Sequence, residues 1–249
     1  MRLPRVSINP TSRRAVVLHT LYLLLLPLLV VGSALRFPTM GYVLVLLSKW
    51  RMLAVRPRYW LANVRANMTD LIVGLSVVSF MNNTSRVSTM LLWGGLYALW
   101  LIVLKPRSDT ISMNLQAIVG QGMGLVALYA NHNDWPRLGL VALVWLICFS
   151  SARHFLSAFE GTQERVVAHI WALFAAEMAL VLMRWQIFYI SAIPQLAVVL
   201  SIIGYAVGVG YYIHRVHGLS STLRSQLMVF CVISLLLVIV LSNWQAKTL

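Results

Sequence analysis

The chain has 249 residues, of which 60% are hydrophobic and only 10% are charged. Water-soluble domains of this length have interiors too small to cover so many apolar side chains, which excludes a soluble fold and leaves the bilayer as the solvent for most of the chain. The net charge of +14 does not indicate a nucleic-acid partner, because the basic residues lie mostly between apolar runs, where they set orientation and meet anionic head groups.

Nine apolar segments, separated by short polar stretches, follow one another along the chain. They cover residues 15–35, 38–55, 67–82, 87–104, 110–130, 138–158, 166–184, 187–213 and 225–243. Eight are long enough, or nearly so, to cross about 30 Å of hydrocarbon as a helix. The first is interpreted as an uncleaved span, with a cleaved signal peptide as the alternative.

The second segment is short, because the twelve residues between Arg36 and Lys49 reach only roughly 18 Å as a helix. It crosses if Lys49 and Arg51 snorkel to the surface, and otherwise it is re-entrant. With no repeat, linker or second domain in the sequence, residues 1–249 are predicted to form one all-α, polytopic bundle of about nine membrane segments.

The basic residues favour nine crossings. If all nine segments cross and the N-terminus is cytoplasmic, 15 of the 20 basic residues lie inside and 5 outside. If the second segment fails to cross, the larger share on either side falls to 12. Because cytoplasmic loops carry the excess of lysine and arginine, we expect a cytoplasmic N-terminus and an external C-terminus.

Residues 49–66 form the longest polar stretch, and they mix cations with aromatic residues. This composition is typical of an element in the head-group layer, with aromatic rings at the interface and cations toward lipid phosphate. The predicted anionic-lipid contacts on the cytoplasmic face are Lys49, Arg51, Arg56, Arg58, Trp60 and Arg65. A specific lipid or protein-partner site is the alternative to simple anchoring.

Glu177 lies near the middle of the seventh segment, where a carboxylate is expensive to bury. At 100° per residue, His169 and Arg184 share its helix face, and we expect that face to point into the bundle. Asn114 and Gln121 share a face of the fifth segment. The candidate polar intramembrane site comprises Glu177, His169, Arg184, Asn114 and Gln121, and structural pairing or cross-helix hydrogen bonding is the alternative.

Common catalytic and nucleotide-binding motifs are missing from the sequence. The six carboxylates are scattered, and only Glu160 and Glu164 lie close together in sequence. No metal site, cofactor or catalytic residue is predicted, since metal-dependent chemistry usually needs clustered acids. Gly204 and Gly208 have the GxxxG spacing, which normally means close helix packing.

Three functions remain open. A transporter or permease-like protein for a small solute or ion is favoured by the mid-membrane acid and the polar fifth segment. The alternatives are a non-catalytic subunit or scaffold that docks a membrane-protein partner, and a lipid-acting enzyme. For the enzyme, the candidate residues are Glu177 with His169, or His154 with Glu160 and Glu164. The charge bias and short loops favour a prokaryotic inner membrane.

Overall fold

The computed structural model describes residues 13–131, 135–159, 163–183, 189–190, 193–216, 218 and 220–242. Within these residues the chain is almost entirely helical, as predicted. The helices are α1 Arg13–Arg36, α2 Pro38–Ser48, α3 Trp60–Asn82, α4 Val87–Leu99, α5 Thr110–Ala130, α6 Arg137–Leu156, α7 Glu164–Met183, α8 Gln195–Val216 and α9 Ser221–Leu241. Two short strands, β1 Tyr189–Ile190 and β2 Ile193–Pro194, pair antiparallel before α8.

The short second segment forms α2, whose 11 residues rise about 16 Å. It lies antiparallel to the second half of α3. At one end the Asn82 side-chain amide donates to the Pro38 carbonyl, and at the other Lys49 contacts Asp70. The chain then makes two 3-10 turns, at Trp50–Met52 and Pro57–Tyr59, before α3 begins.

The end of α4 is a π-helical turn over Trp100–Leu104, in which the Lys105 amide bonds to the Trp100 carbonyl five residues earlier. Such wide turns insert an extra residue into a helix and often lie at functional sites. Here the turn places both Trp100 and Lys105 beside Asp70 of α3.

The helix α3 lies at the centre of the protein and contacts α1, α2, α4, α5 and α6. One apolar core joins α1 to α4 around Val77 and Tyr97, and a second joins α3 to α5–α8 around Leu125 and Cys148. The close approach of α5 to α3 requires Gly120, because a Cβ there would lie 2.6 Å from Thr69 Cγ2. A glycine thus lets α5 and α3 pack closely, as small residues do between membrane helices.

The last three helices pack at one side of the bundle. Alanines form the buried face of α7, while bulky aliphatic side chains form its exposed face. The helix α9 lies mainly against α8, where Phe230 meets Tyr205 edge to face and Ser242 accepts from Gln195. Almost all of the α9 surface is therefore apolar and exposed.

Seven of the described helices are long and apolar enough to span a membrane: residues 57–82, 87–104, 110–130, 137–156, 164–182, 195–215 and 221–241. Their length and composition are those of an integral membrane protein. The structure differs from the sequence interpretation at two boundaries. The helix α3 begins at Trp60, inside the stretch assigned to the interfacial element, and α8 begins at Gln195 because the residues before it form the strand pair.

Candidate functional site

A cleft lies between α5, α6, α7 and α8, because α7 and α8 touch each other little. It runs from Gln121, at the middle of α5, to Phe155 and Tyr211 near the ends of α6 and α8. The empty space in the cleft is about 570 Å³. Because this volume includes open space outside the protein, it is an upper limit on the volume of a bound ligand. The cleft thus extends from the middle of the bundle toward the ends of the helices at which α5 and α7 begin.

The deep end of the cleft is polar. Gln121 is 6% exposed and makes two hydrogen bonds: its amide nitrogen donates to the Leu200 carbonyl (3.0 Å), and its oxygen accepts from Trp171 Nε1 (3.1 Å). Asn114 lies two turns nearer the mouth and is half-buried. The structure therefore brings together two of the residues predicted for a polar intramembrane site, and both line the same cleft.

Ser151 lines the cleft from α6, and its side chain is 1% exposed. Its hydroxyl has no hydrogen-bond partner in the part of the chain that the structure describes. A buried hydroxyl without a partner is costly, and in most proteins such a group meets a water or a ligand. Nothing in the sequence distinguishes this residue, because serines are common in membrane helices.

The remaining cleft wall is aromatic or aliphatic, with Phe155, Trp171, Tyr205 and Tyr211 as its largest side chains. Among the described residues, no carboxylate, histidine, lysine, arginine or cysteine lines it. The cleft can therefore offer hydrogen bonds, aromatic surface and shape, but not a charge. Such a lining suits a neutral ligand and provides neither a general base nor a metal ligand.

A buried charge cluster lies at Asp70, 12 residues before the end of α3. The carboxylate accepts from Lys49, from Lys105 Nζ at 2.6 Å and from Trp100 Nε1 at 2.9 Å. Asp70 is 7% exposed and Lys49 is equally buried, whereas Lys105 is 36% exposed. Lys49 follows α2, whereas Trp100 and Lys105 lie at the end of α4, so these three donors tie α2, α3 and α4 together.

Lys49 was predicted to contact lipid head groups, and this prediction is wrong. Its ammonium lies inside the protein against Asp70, because α2 ends at the level of that carboxylate. Burial lowers the pKa of Lys49, and the attraction of Asp70 opposes that effect. The ion pair could not be predicted from the sequence, because Lys49 and Asp70 are 21 positions apart and each looks like an isolated charge.

The expectation that the Glu177 face of α7 points into the bundle is also wrong. Glu177 and His169 are both exposed, as are Leu173 and Leu180 on the same face. The His169 ring stacks on Phe149 of α6 at 4.6 Å, so it lies over the protein surface. The alanines turn inward instead, because their small side chains let α7 approach α6 closely. Arg184 lies outside the described residues.

The other predicted head-group residues, Arg51, Arg56, Arg58, Trp60 and Arg65, are all exposed. Trp60 Nε1 donates to the Val55 carbonyl, and the Arg58 guanidinium lies over the Tyr59 ring at 4.6 Å. Their contact with lipid stays a prediction.

The residues proposed for a lipid-acting enzyme do not form a titratable pair in the described structure. His154 lies 2.7 Å from Gln116 Oε1, and Glu164 lies nearest to Arg153. Glu160 lies outside the described residues. Glu177 and His169 face outward, away from the cleft.

No protein-family model matches this chain, and no curated protein or solved structure is significantly similar to it. Function must therefore be inferred from the chemistry of the site itself, because a helical bundle alone does not specify one.

Proposed function

We propose that this protein binds a small, neutral, amphipathic solute in the cleft between α5 and α8 and acts as a permease for it. The observation that carries the proposal is the buried, unpartnered Ser151 hydroxyl in a cleft that reaches Gln121 at mid-helix. Solute sites of transporters tend to lie near the bilayer midplane between helices. A ligand hydroxyl or amide would satisfy Ser151, while its apolar part would lie against the aromatic wall.

We further propose that the cleft opens toward the cytoplasm, in a prokaryotic inner membrane. The support is the charge bias of the sequence together with the course of α2, which runs back along α3 from Asn82 to the level of Asp70. When α2 crosses the membrane, the loops rich in lysine and arginine lie on the same, cytoplasmic side. In this orientation α5 and α7 begin at the cytoplasmic face, and nine helices cross.

Cysteine accessibility tests the cleft directly. Cys148 and Cys231 are first replaced by alanine, and single cysteines are then placed at Asn114 or Gly208, where a Cβ meets only ordinary contacts at 3.7 Å. A charged, membrane-impermeant thiol reagent should modify them from the cytoplasmic side only, because thiolates form where water enters. The control is Gly95→Cys on the exposed face of α4, where a Cβ has no neighbour within 4 Å.

The ligand class is tested by protection of the cysteine at position 114. Benzyl alcohol, which is neutral, should slow the modification, whereas benzoate and benzylammonium of similar size should not. Equal protection by all three, or modification no faster than that of Gly95→Cys, would refute the neutral cleft.

Transport is tested with phenyl glucoside, a neutral amphipathic solute that crosses lipid slowly. Its uptake into proteoliposomes should be abolished by Gly208→Trp, which fills the cleft beside Asn114 and Phe155, and retained in Gly95→Trp. Protection without flux would mean that the protein binds the solute but does not carry it.

A second candidate, a subunit of a membrane complex, is favoured by the outward position of Glu177. A carboxylate that faces hydrocarbon is costly, and a donor on a neighbouring transmembrane helix would remove that cost. This proposal predicts that Glu177→Leu weakens a complex recovered in mild detergent, whereas Leu173→Ala on the same face does not. A protein that stays monomeric in the native membrane, with or without Glu177, would argue against it.

A further inference from the structure

A group of charged side chains lies where α6 ends and α7 begins, separate from the cleft and from the Asp70 cluster. Arg153 is in the last turn of α6, and Glu164 and Arg165 are in the first turn of α7. Arg65 is on α3 and Arg165 is on α7, two helices that contact α6, and the positive charges of both act on Arg153. Three helices thus contribute to one basic group.

Arg153 is poorly satisfied within this group. Its side chain is 12% exposed, and neither Nε nor Nη1 has a hydrogen-bond partner among the residues that the structure describes. The nearest carboxylate oxygen, Glu164 Oε2, is 3.9 Å from Nη1, which is beyond hydrogen-bond distance. The other oxygen, Glu164 Oε1, is buried and also without a partner. The ion pair is therefore loose and leaves two buried N–H donors unused.

The charges do not balance either. Among the residues described at this end of α6 and α7, with Glu160 lying outside them, three arginines against the ionised Glu164 give a net charge of +2. Buried guanidinium groups without acceptors are costly, so a site of this kind is stabilised by an anion that accepts several hydrogen bonds. Arginine is well suited to phosphate, because its planar fork donates to several oxygens at once.

The position fits such a ligand. The end of α6 and the start of α7 lie at the level where a membrane helix meets the head groups. Basic pockets between transmembrane helices at the cytoplasmic side are known to hold lipid phosphate groups. From the unused donors, the excess charge and the depth, we propose that Arg153, Arg65 and Arg165 form a phosphate-binding site, filled by a lipid head group or by free phosphate.

Native mass spectrometry of the full chain tests the lipid source. Purified protein is released from nanodiscs of phosphatidylglycerol and phosphatidylcholine, and the retained lipid is counted. We expect one tightly held phosphatidylglycerol, with retention weakened about tenfold or more by Arg153→Gln, because truncation of a charged, buried partner is costly. The control is Arg86→Gln, which removes an exposed arginine before α4, outside the predicted head-group element, and should change retention little.

Two further variants keep the test valid if Arg153→Gln fails to fold. Arg65 is exposed, so Arg65→Gln should fold and weaken retention. Glu164→Gln removes the opposing negative charge and should strengthen it. Opposite effects of these two substitutions are expected from a phosphate site but not from a general loss of structure.

Inorganic phosphate is the second arm, measured as a rise in the thermal midpoint relative to chloride at equal ionic strength. A rise that Arg153→Gln abolishes, with no specific lipid retained, would assign the site to free phosphate. The proposal is overturned if neither phosphate source distinguishes Arg153→Gln from Arg86→Gln, or if Glu164→Gln weakens retention as much as Arg65→Gln does.

Discussion

Replacement of Asp70 by asparagine should destabilise the protein strongly, because it removes the only carboxylate that Lys49 contacts in the described structure. Breaking a buried ion pair by removing one partner costs about 3–5 kcal/mol, most of it from the charge left behind. For a chain of this length each kcal/mol lowers the thermal midpoint by about 2–4 °C, so the loss should be about 6–20 °C.

The neighbouring variants give the comparison that the reasoning needs. Lys105 is 36% exposed, so Lys105→Gln should cost about 0–1 kcal/mol, as exposed ion pairs do. Lys49→Met should cost less than Asp70→Asn, because Asp70 retains Lys105 and Trp100. The double variant Asp70→Asn with Lys49→Met leaves no buried charge and should be more stable than Asp70→Asn alone.

The assay is a thermal melt in mild detergent, followed by size-exclusion chromatography, at several pH values. Burial lowers the pKa of Lys49, and in Asp70→Asn the opposing attraction is lost. The unfolded chain then binds the Lys49 proton more tightly than the folded chain, so stability should rise with pH, and part of the deficit should disappear as the pH approaches the ordinary lysine pKa of about 10.4. The reasoning is refuted if Asp70→Asn melts no lower than Lys105→Gln, or if the double variant melts no higher than Asp70→Asn.

Three other predictions concern packing, hydrogen bonding and capping, each checked by the same thermal melts. Gln121→Leu should cost about 1–3 kcal/mol, since it removes two hydrogen bonds between helices, and a midpoint equal to wild type would contradict the role given to Gln121. Gly204→Ala should cost about 1–3 kcal/mol, because its Cβ would lie 2.9 Å from Gln121 Nε2 and 3.0 Å from Trp171, whereas Gly208→Ala should be tolerated. Asp109 caps α5 by accepting from the Ser112 amide. Hydrogen bonds from the Ser112 hydroxyl, and next from its amide, lower the pKa of Asp109, so their stabilising effect is present above the usual aspartate range and is lost as the pH falls through the lowered pKa. Asp109→Ala should therefore lower the midpoint at pH 7 but less at acid pH, with Asp109→Asn, which can still cap, as the control.

The helical segments were largely predictable, because length and hydropathy decide where a chain can cross lipid. The errors lie where tertiary contacts override the local pattern. The helix α3 begins at Trp60, seven residues before the apolar segment that was predicted from the sequence. It is longer than predicted because its first turns extend beyond the level of Asp70. The π-helical turn at the end of α4 was not predictable, because residues Trp100–Leu104 include no proline or glycine.

The site was predicted in part for a physical reason. Asn114 and Gln121 could be paired from sequence because they lie on one helix, and helical periodicity relates them directly. Asp70 could not be paired with Lys49 and Lys105, which come from α2 and α4, without knowing how the helices pack. The orientation of Glu177 was predicted wrongly, because a lone carboxylate in a membrane helix suggests a side chain that points into the bundle. The alanines of α7 instead determine which face of the helix packs against its neighbours.

The π-helical turn at Trp100–Leu104 makes one short stretch of the chain tolerant of a deletion but not of an insertion. The Lys105 amide bonds to the carbonyl five residues earlier, so deletion of one residue from 101–104 would leave the same two groups at ordinary α-helical spacing, with Lys105 still directed toward Asp70. Insertion of one residue would instead add about 100° of rotation and carry Lys105 away from Asp70. Sequencing of a random indel library should thus show insertions depleted within this turn and single deletions retained, whereas the loop at residues 106–109 should accept both.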